Sequence, residues 1–425
     1  EMSASLVGSE MCIRDRVYLL CNQYDKMKIL WFTGGTSLYA NKNTYNGGGW
    51  VASLQQALIN NPNTDVVIEV AFPWHCNMQD NVDGVVYYGI KRMLKPFICY
   101  NRKQKAEYER IKEVVDRSKP DIIHVFGTEL SYGMVSKMTD IPVVIHLQGI
   151  LGCCKEFWLP AGLSWMKYFI HDPRKLISQI NLNRYIKREF EIFQNSRYLM
   201  GRTCWDRSNA ALMAPQATYF YCSEMLRPYI YNSCRMWQPR NNIHKVIVSV
   251  ISPAIYKGGD VILKTAEVLK KFWGDNFEWQ VYGIDDLDYM SRLTDIKLNE
   301  VNVSVRGVID AKQLVDVVMS ADVFVHPSYI ENSPNTVCEA QVLGIPVIAT
   351  NVGGVSSLIT DMEDGILVPS HDIYMIAAKL KLLLENVELS MSLGEKGRKR
   401  ALLRHSPKVI VNNILDIYNK LVKIR

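Results

Sequence analysis

The amino-acid sequence predicts an α/β protein built from two successive parallel-sheet units, and three observations carry that prediction. The chain has 425 residues, about twice what one hydrophobic core comfortably serves. Short apolar runs alternate with longer amphipathic stretches, the pattern of parallel strands joined by crossover helices. After a polar, proline-containing stretch, WQPRNN (237 to 242), the alternation starts again.

In the first half the predicted strands are KILWFTG (28 to 34), DVVIEVAF (65 to 72), DIIHVFG (121 to 127), PVVIHLQG (142 to 149) and RYLMGRT (197 to 203), with helical stretches between them. In the second half they are KVIVSVIS, FEWQVYGI, VNVSVRGVI, ADVFVHPS, PVIATNVGG and DGILVPS. The last stretch, HSPKVIVNNILDIYNKLVKI, predicts a helix capped at Ser406 with Pro407 in its first turn. These elements divide the chain into units 27 to 238 and 243 to 405 and a terminal helix 406 to 425, with a hinge near residue 240. Two Rossmann-like units in succession place a ligand cleft between the carboxyl ends of both sheets. Residues 1 to 26 stand apart: EMSASLVGSEMCIRDR (1 to 16) has neither the apolar core of a signal peptide nor a helix or strand period. The leader 1 to 26 reads as non-native or disordered, with Met27 as the expected start.

Composition narrows the functional classes. The 48% apolar and 22% charged fractions are those of a globular protein, and no apolar run reaches the ~20 residues a membrane span needs. The net charge of +6 is mild and does not demand nucleic acid. Part of it clusters, at Lys91, Arg92, Lys95, Arg102, Lys103 and Lys105, then at Arg174, Lys175, Arg184, Lys187 and Arg188. Such clusters suit an anionic membrane surface or an acidic acceptor, although a solvated helical face is the ordinary reading. The ten cysteines contain no C-x-x-C pair and no even spacing, so neither a zinc site nor a disulfide framework is indicated. A reducing cytoplasm is expected.

The segment ADVFVHPSYIENSPNTVCEAQVLGIPVIATNVGG, which starts at Ala321, carries the most chemistry. Val323 to Val325 predict a buried strand ending at His326 and Pro327. Ser333 and Pro334 predict a helix N-cap and first position, and Gly344 with Pro346 ends that helix. Asn335, Thr336 and Glu339 then share one side of it. The free N–H groups at its start attract phosphate, so a diphosphate would sit there. Glu339 is placed to accept hydrogen bonds from ribose hydroxyls and Glu331, in the preceding loop, to face a sugar beyond the phosphates. Lys257 stands before a glycine pair that opens a helix, where a cation opposes the dipole and is better explained by an anion held nearby. In the first half, NGGGW (46 to 50) precedes a helix, and Gly48 and Gly49 let backbone approach a ligand. It is not a dinucleotide fingerprint, since no G-x-G-x-x-G follows the strand. His146 and His124 sit at or near strand ends expected to face the cleft. Asp286 and Asp288 form an Asp-x-Asp, but a strand followed by a polar helix start is a poor setting for a metal, and no other cluster has ligand spacing.

With Glu331 and Glu339 separated by seven residues after a strand ending in His-Pro-Ser, the chain resembles the retaining glycosyltransferases of family four, also called glycosyl transferases group 1. That resemblance implies the GT-B fold: two Rossmann-like domains facing each other across a cleft, with the C-terminal helix returning to the first. It further implies a UDP- or GDP-sugar donor in the second domain and a glycan or lipid-linked acceptor in the first. No cofactor and no metal are implied, and the setting would be bacterial envelope or exopolysaccharide assembly. Residue by residue, Lys257 matches the family's phosphate-binding lysine and Gly307 with Val308 the segment whose backbone touches the base. His146 matches the histidine beside the transferred sugar. GRTCWD (201 to 206) resembles a subgroup signature, which places Arg202 near the acceptor, with His124 a lesser candidate. Three positions depart from the pattern: Asn332 stands for a glycine, Pro334 has no N–H to offer, and Ser252 stands where many members carry an arginine. Two rival functions on the same scaffold are a sugar-nucleotide epimerase and a non-catalytic sugar-nucleotide-binding protein. A phosphorylase would need a much longer chain.

Overall fold

The computed structural model describes residues 26–39, 49–62, 64–92, 100–157, 159, 166 and 174–423; the leader 1–25 and Gly48 lie outside the described residues. The first sheet contains β1 (Met27–Phe32), β2 (Val66–Trp74), β3 (Met78–Val82), β4 (Val85–Lys91), β5 (Ile122–Phe126), β6 (Val143–His146), β7 (Tyr198–Gly201) and β8 (Thr218–Tyr221). Their order is β3-β4-β2-β1-β5-β6-β7-β8, and every pairing is parallel except the antiparallel β3–β4. Successive residues of β1 point to opposite faces, as the strand period requires. Ile29 and Trp31 join one core, and Leu30 and Phe32 join the other.

The hairpin β3–β4 does not appear among the predicted strands. β3 is a mostly exposed edge strand without an apolar run. It is held by a turn at Asp83 and Gly84, both at positive φ (52° and 80°), the backbone that tight hairpins need.

The second sheet contains β9 (Lys245–Val250), β10 (Phe277–Tyr282), β11 (Val303–Val305), β12 (Val323–His326), β13 (Val347–Thr350) and β14 (Ile366–Val368). It is parallel throughout, in the order β11-β10-β9-β12-β13-β14. The terminal helix Pro407–Lys423 returns to the first unit, burying Ile410, Val411, Ile414, Ile417, Tyr418 and Leu421 against β1, β2 and β5 residues. These positions recur at helical spacing, so one face docks and the rest stays polar. At its centre Trp31 Nε1 donates to Tyr418 Oη at 3.0 Å, and Tyr418 Oη lies 2.7 Å from His124 Nδ1.

The passage between the units is abrupt. Met225 packs into the first core, and its neighbour Leu226 joins Ile230 and Trp237 in the second. Trp237 Nε1 donates to the carbonyl of Ala321 at 2.7 Å, which ties WQPRNN to the second unit. Polar composition marked residues 237–242 as the break, but packing changes hands at 225–226, because Trp237 and the short helix Pro228–Tyr231 have apolar faces to bury.

Polar contacts join the two units at the cleft. Thr203 Oγ1 donates to Asn332 Oδ1 (2.6 Å), and Asn332 Nδ2 donates to Gln148 O (3.2 Å) and Asp206 Oδ2 (3.1 Å). Ser333 Oγ donates to Glu224 Oε1 at 2.5 Å, and Cys204 N to Ser357 Oγ at 2.9 Å.

Candidate functional site

The site begins where β12 ends at His326. Beyond it the chain turns through Glu331 and enters the helix Asn335–Leu343, closed by Gly344 at φ 85°. The helix starts one residue later than the sequence predicted. Pro334, not Ser333, occupies the N-cap, with no side-chain cap, because the Ser333 hydroxyl is committed to Glu224. The first N–H groups of the helix, at Asn335 and Thr336, therefore receive no side-chain cap from the N-cap residue. Both residues line a cleft of about 240 Å³.

Two glycines fix the backbone around the carboxylates. A Cβ on Gly258 would come within 2.2 Å of the Pro327 carbonyl, so only glycine lets the turn Ile255–Lys257 lie against the end of β12. A Cβ on Gly353 would meet the Glu331 carbonyl at 1.8 Å, at φ 53°. The same turn is tied on by Tyr329 N, which donates to Tyr256 O at 2.7 Å. Tyr329 Oη in turn donates to buried Asp260.

The result is a charged wall. Lys257 Nζ is ion-paired with Glu331 Oε1, Ser328 Oγ donates to the same oxygen at 3.0 Å, and His326 Nε2 lies 3.4 Å from it. Burial alone would raise the Glu331 pKa. The charge of Lys257 and the neighbouring His326 outweigh it and hold the carboxyl at about 2. Burial likewise works against charge on Lys257, but Glu331 reverses the balance and pushes its pKa up. Glu339, 3% exposed, is gripped by a residue far along the chain: Arg227 Nε donates to Oε1 and Nη2 to Oε2, each at 2.7 Å. Planar two-point pairing of this kind is the strongest form of side-chain hydrogen bonding.

Of the residues singled out from sequence, the cleft brings together Gly49, Lys257, Asn335, Thr336 and Glu339, with Ser252 and His326 beside them. Glu331 joins the same wall through its pair with Lys257. Gly307 and Val308 do not line the cleft. Gly307 O accepts from Gly283 N at 2.9 Å, and Gly283 and Ile309 are the cleft-lining residues of that neighbourhood. On the first-unit side Trp50 lines the cleft, and its ring packs edge-on against His146 at 4.9 Å.

Three first-unit candidates sit beneath that surface. His146 has no exposed area, and burial, with His124 and Arg202 nearby, pushes its pKa well below the usual histidine value. His124 is also fully buried, stacked on Phe126, and depressed by burial to about 3. With Nδ1 held by Tyr418 it serves the docking of the terminal helix, so it presents nothing to an acceptor. Arg202 is 6% exposed, stacks over Trp50 at 5.0 Å, and points Nε toward Glu224 Oε2 at 3.4 Å. Burial alone would raise the Glu224 pKa, but Arg202 and then His405 hold it at about 2. Asp286 accepts from Asp288 N at 3.1 Å and so shapes the start of the helix Asp288–Thr294.

Arg227 is the functional residue that sequence reasoning missed. It lies 112 positions from Glu339, in SEMLRPYIY, and nothing in its spacing signals a partner.

Comparison with known proteins adds the following. Residues 237–400 match the family model "Glycosyl transferases group 1". The chain is 34% identical over 314 residues to a D-inositol 3-phosphate glycosyltransferase of Arthrobacter sp. (strain FB24), covering 70% of this chain and 69% of that protein. It is 35% identical over 102 residues to the capsular polysaccharide biosynthesis glycosyltransferase CapM of Staphylococcus aureus, covering 24% of this chain and 27% of CapM. Two further curated glycosyltransferases are matched over 35% and 46% of their own length, so most of these similarities span less than half of the relative. In fold, the chain is similar to sucrose-phosphate synthase from Thermosynechococcus elongatus, with a TM-score of 0.72 at 15% identity, covering 94% of this chain and 100% of that one.

Proposed function

Because the chain belongs to the glycosyl transferases of group 1 and is a glycosyltransferase, we propose that it moves a sugar from a UDP- or GDP-sugar to a hydroxyl of a glycan or lipid-linked acceptor. The observation that carries this reading is the convergence of Lys257, Glu331, Glu339 and the uncapped start of the helix Asn335–Leu343 on one cleft. In the proposed complex the diphosphate lies against the N–H groups of Asn335 and Thr336 and against Lys257, and Glu339 accepts from the ribose hydroxyls. Glu331, kept ionised by Lys257, accepts from hydroxyls of the transferred sugar.

As the bond from the anomeric carbon to the diphosphate oxygen breaks, negative charge grows on that oxygen. Preorganised N–H groups and the ammonium stabilise it without reorganising, which is the largest contribution in most reactions of this kind. The acceptor hydroxyl attacks from the face the diphosphate leaves, and its proton passes to the departing phosphate, giving retention of configuration. No metal or cofactor enters this scheme. Trp50 and the Asn332 contacts close the cleft on the first-unit side, which supports exclusion of water from the anomeric carbon. Envelope or exopolysaccharide assembly, in the cytoplasm or at the inner membrane face through the basic clusters, completes the proposal.

The test is NMR of the purified chain with UDP- and GDP-sugars, with and without glycan or lipid-linked acceptors. Acceptor-dependent release of the nucleoside diphosphate with a retained anomeric configuration is expected. Conversion of the donor alone to its epimer would replace transfer by epimerisation.

A further inference from the structure

The cleft wall is electrically closed. Among the described residues that line it, the cations are Arg227 and Lys257, and each is already paired with one of the two carboxylates. A nucleoside diphosphate brings negative charge of its own, and it is met by most positive charge if one of these pairs opens on binding. The two pairs differ in what an incoming nucleotide can offer. Ribose hydroxyls can donate to both oxygens of Glu339 and so substitute for the two N–H groups of the guanidinium, whereas phosphate oxygens cannot donate to Glu331. Arg227 is also well placed to move. Only its side chain has to turn, and its planar fork fits two phosphate oxygens as well as it fits a carboxylate. Ser252, on the same wall, carries no charge with which to help.

We propose that Arg227 is a diphosphate ligand held in reserve: in the empty site it satisfies Glu339, and when ribose takes Glu339 the guanidinium turns to the diphosphate. This rests on the nucleotide-sugar reading of the cleft and adds the second positive charge that Ser252 does not supply. The exchange keeps Glu339 hydrogen-bonded in both states, so a carboxylate as buried as this one can serve as a ribose acceptor without standing alone beforehand.

Calorimetric titration of the full chain with UDP, uridine, GDP, guanosine and inorganic pyrophosphate tests it. Arg227→Ala should weaken binding of the nucleoside diphosphate at least tenfold and leave the nucleoside equal or tighter, since Glu339 no longer has to be released. Adding Ser252→Arg to Arg227→Ala should recover most of the diphosphate affinity. Glu339→Gln, which removes the carboxylate charge facing the guanidinium and keeps the guanidinium, should bind pyrophosphate several-fold more tightly than the unsubstituted chain, and it keeps the test open should Arg227→Ala not fold. Equal losses of nucleoside and nucleoside diphosphate in Arg227→Ala would mean that Arg227 only orients Glu339, and would overturn the proposal. Unchanged pyrophosphate affinity in Glu339→Gln would overturn it as well. If the unsubstituted chain binds none of these ligands, the nucleotide-sugar reading falls, and this inference with it.

Discussion

His146 and His326 both end parallel strands, β6 and β12, and in sequence both close an apolar run. Their surroundings are opposite. His146 lies under Trp50 among rings, far below its usual pKa, with no exposed area. His326 lines the cleft, 3.4 Å from a carboxylate that is itself paired with a lysine. The first sheet thus closes its strand ends with aromatic packing, and the second opens its own onto fixed charge. A strand-end histidine reports where a site could be, and what packs above it decides whether there is one.

The sharpest way to break this contrast is to remove charge from the second wall. Glu331→Gln and Lys257→Ala should each lower transfer by about 10²–10³-fold in kcat, the range found when one preorganised group is lost, measured by release of nucleoside diphosphate. Near-normal turnover in both variants, with folding intact by circular dichroism, would place the chemistry elsewhere.

The next effect separates the two regions by pH. His124 has a folded pKa of about 3 against about 6.5 in the unfolded chain, so the unfolded state binds the extra proton. Its contribution is present above pH 6.5 and is lost as pH falls toward 3. Between pH 6.5 and 5 this amounts to about 2 kcal/mol, at ~1.4 kcal/mol per pH unit. Glu331, held at about 2, keeps its contribution above about pH 4.5 and loses it only below. Urea unfolding across this range should show a slope near pH 5.5 that is shallower in His124→Gln and unaltered in Glu331→Gln.

Smaller again is the helix anchor. Tyr418→Phe should cost about 1–2 kcal/mol of unfolding free energy, because Trp31 Nε1 and His124 Nδ1 both lose a buried partner. Turnover per folded molecule should not change, and a drop in turnover at constant stability would tie the first-sheet histidines to catalysis. Smallest is Asn332→Gly, which removes the bridge to Thr203, Gln148 and Asp206 and should lower stability by about 1 kcal/mol in the same assay.

Much of this was legible in the chain because local causes sufficed. Buried parallel strands announce themselves as apolar runs, and Gly344 with Pro346 stops the donor-side helix wherever the rest of the molecule lies. Departures arose where a partner came from far along the sequence. Ser333 gave up its cap to Glu224, 109 positions away, and Glu339 is met by Arg227 from a segment without periodicity. The edge strand β3 has no apolar period, since little of it is buried, and its only signal was the Asp83–Gly84 turn. His124 and His146 looked like site residues because sequence shows the end of a strand but not the tryptophan or the terminal helix laid over it.

The changeover at Met225 and Leu226 has a mechanical consequence. The chain crosses between cores twice, at this peptide and again between Ala401 and Ile410, so the axis of any rotation of one unit against the other runs close to those two crossings. A point near an axis travels little while a point far from it sweeps a long arc. Arg227, next to the first crossing, would therefore travel little in such a rotation. The exchange proposed for its guanidinium asks only that the side chain turn, and so does not depend on any displacement of one unit against the other.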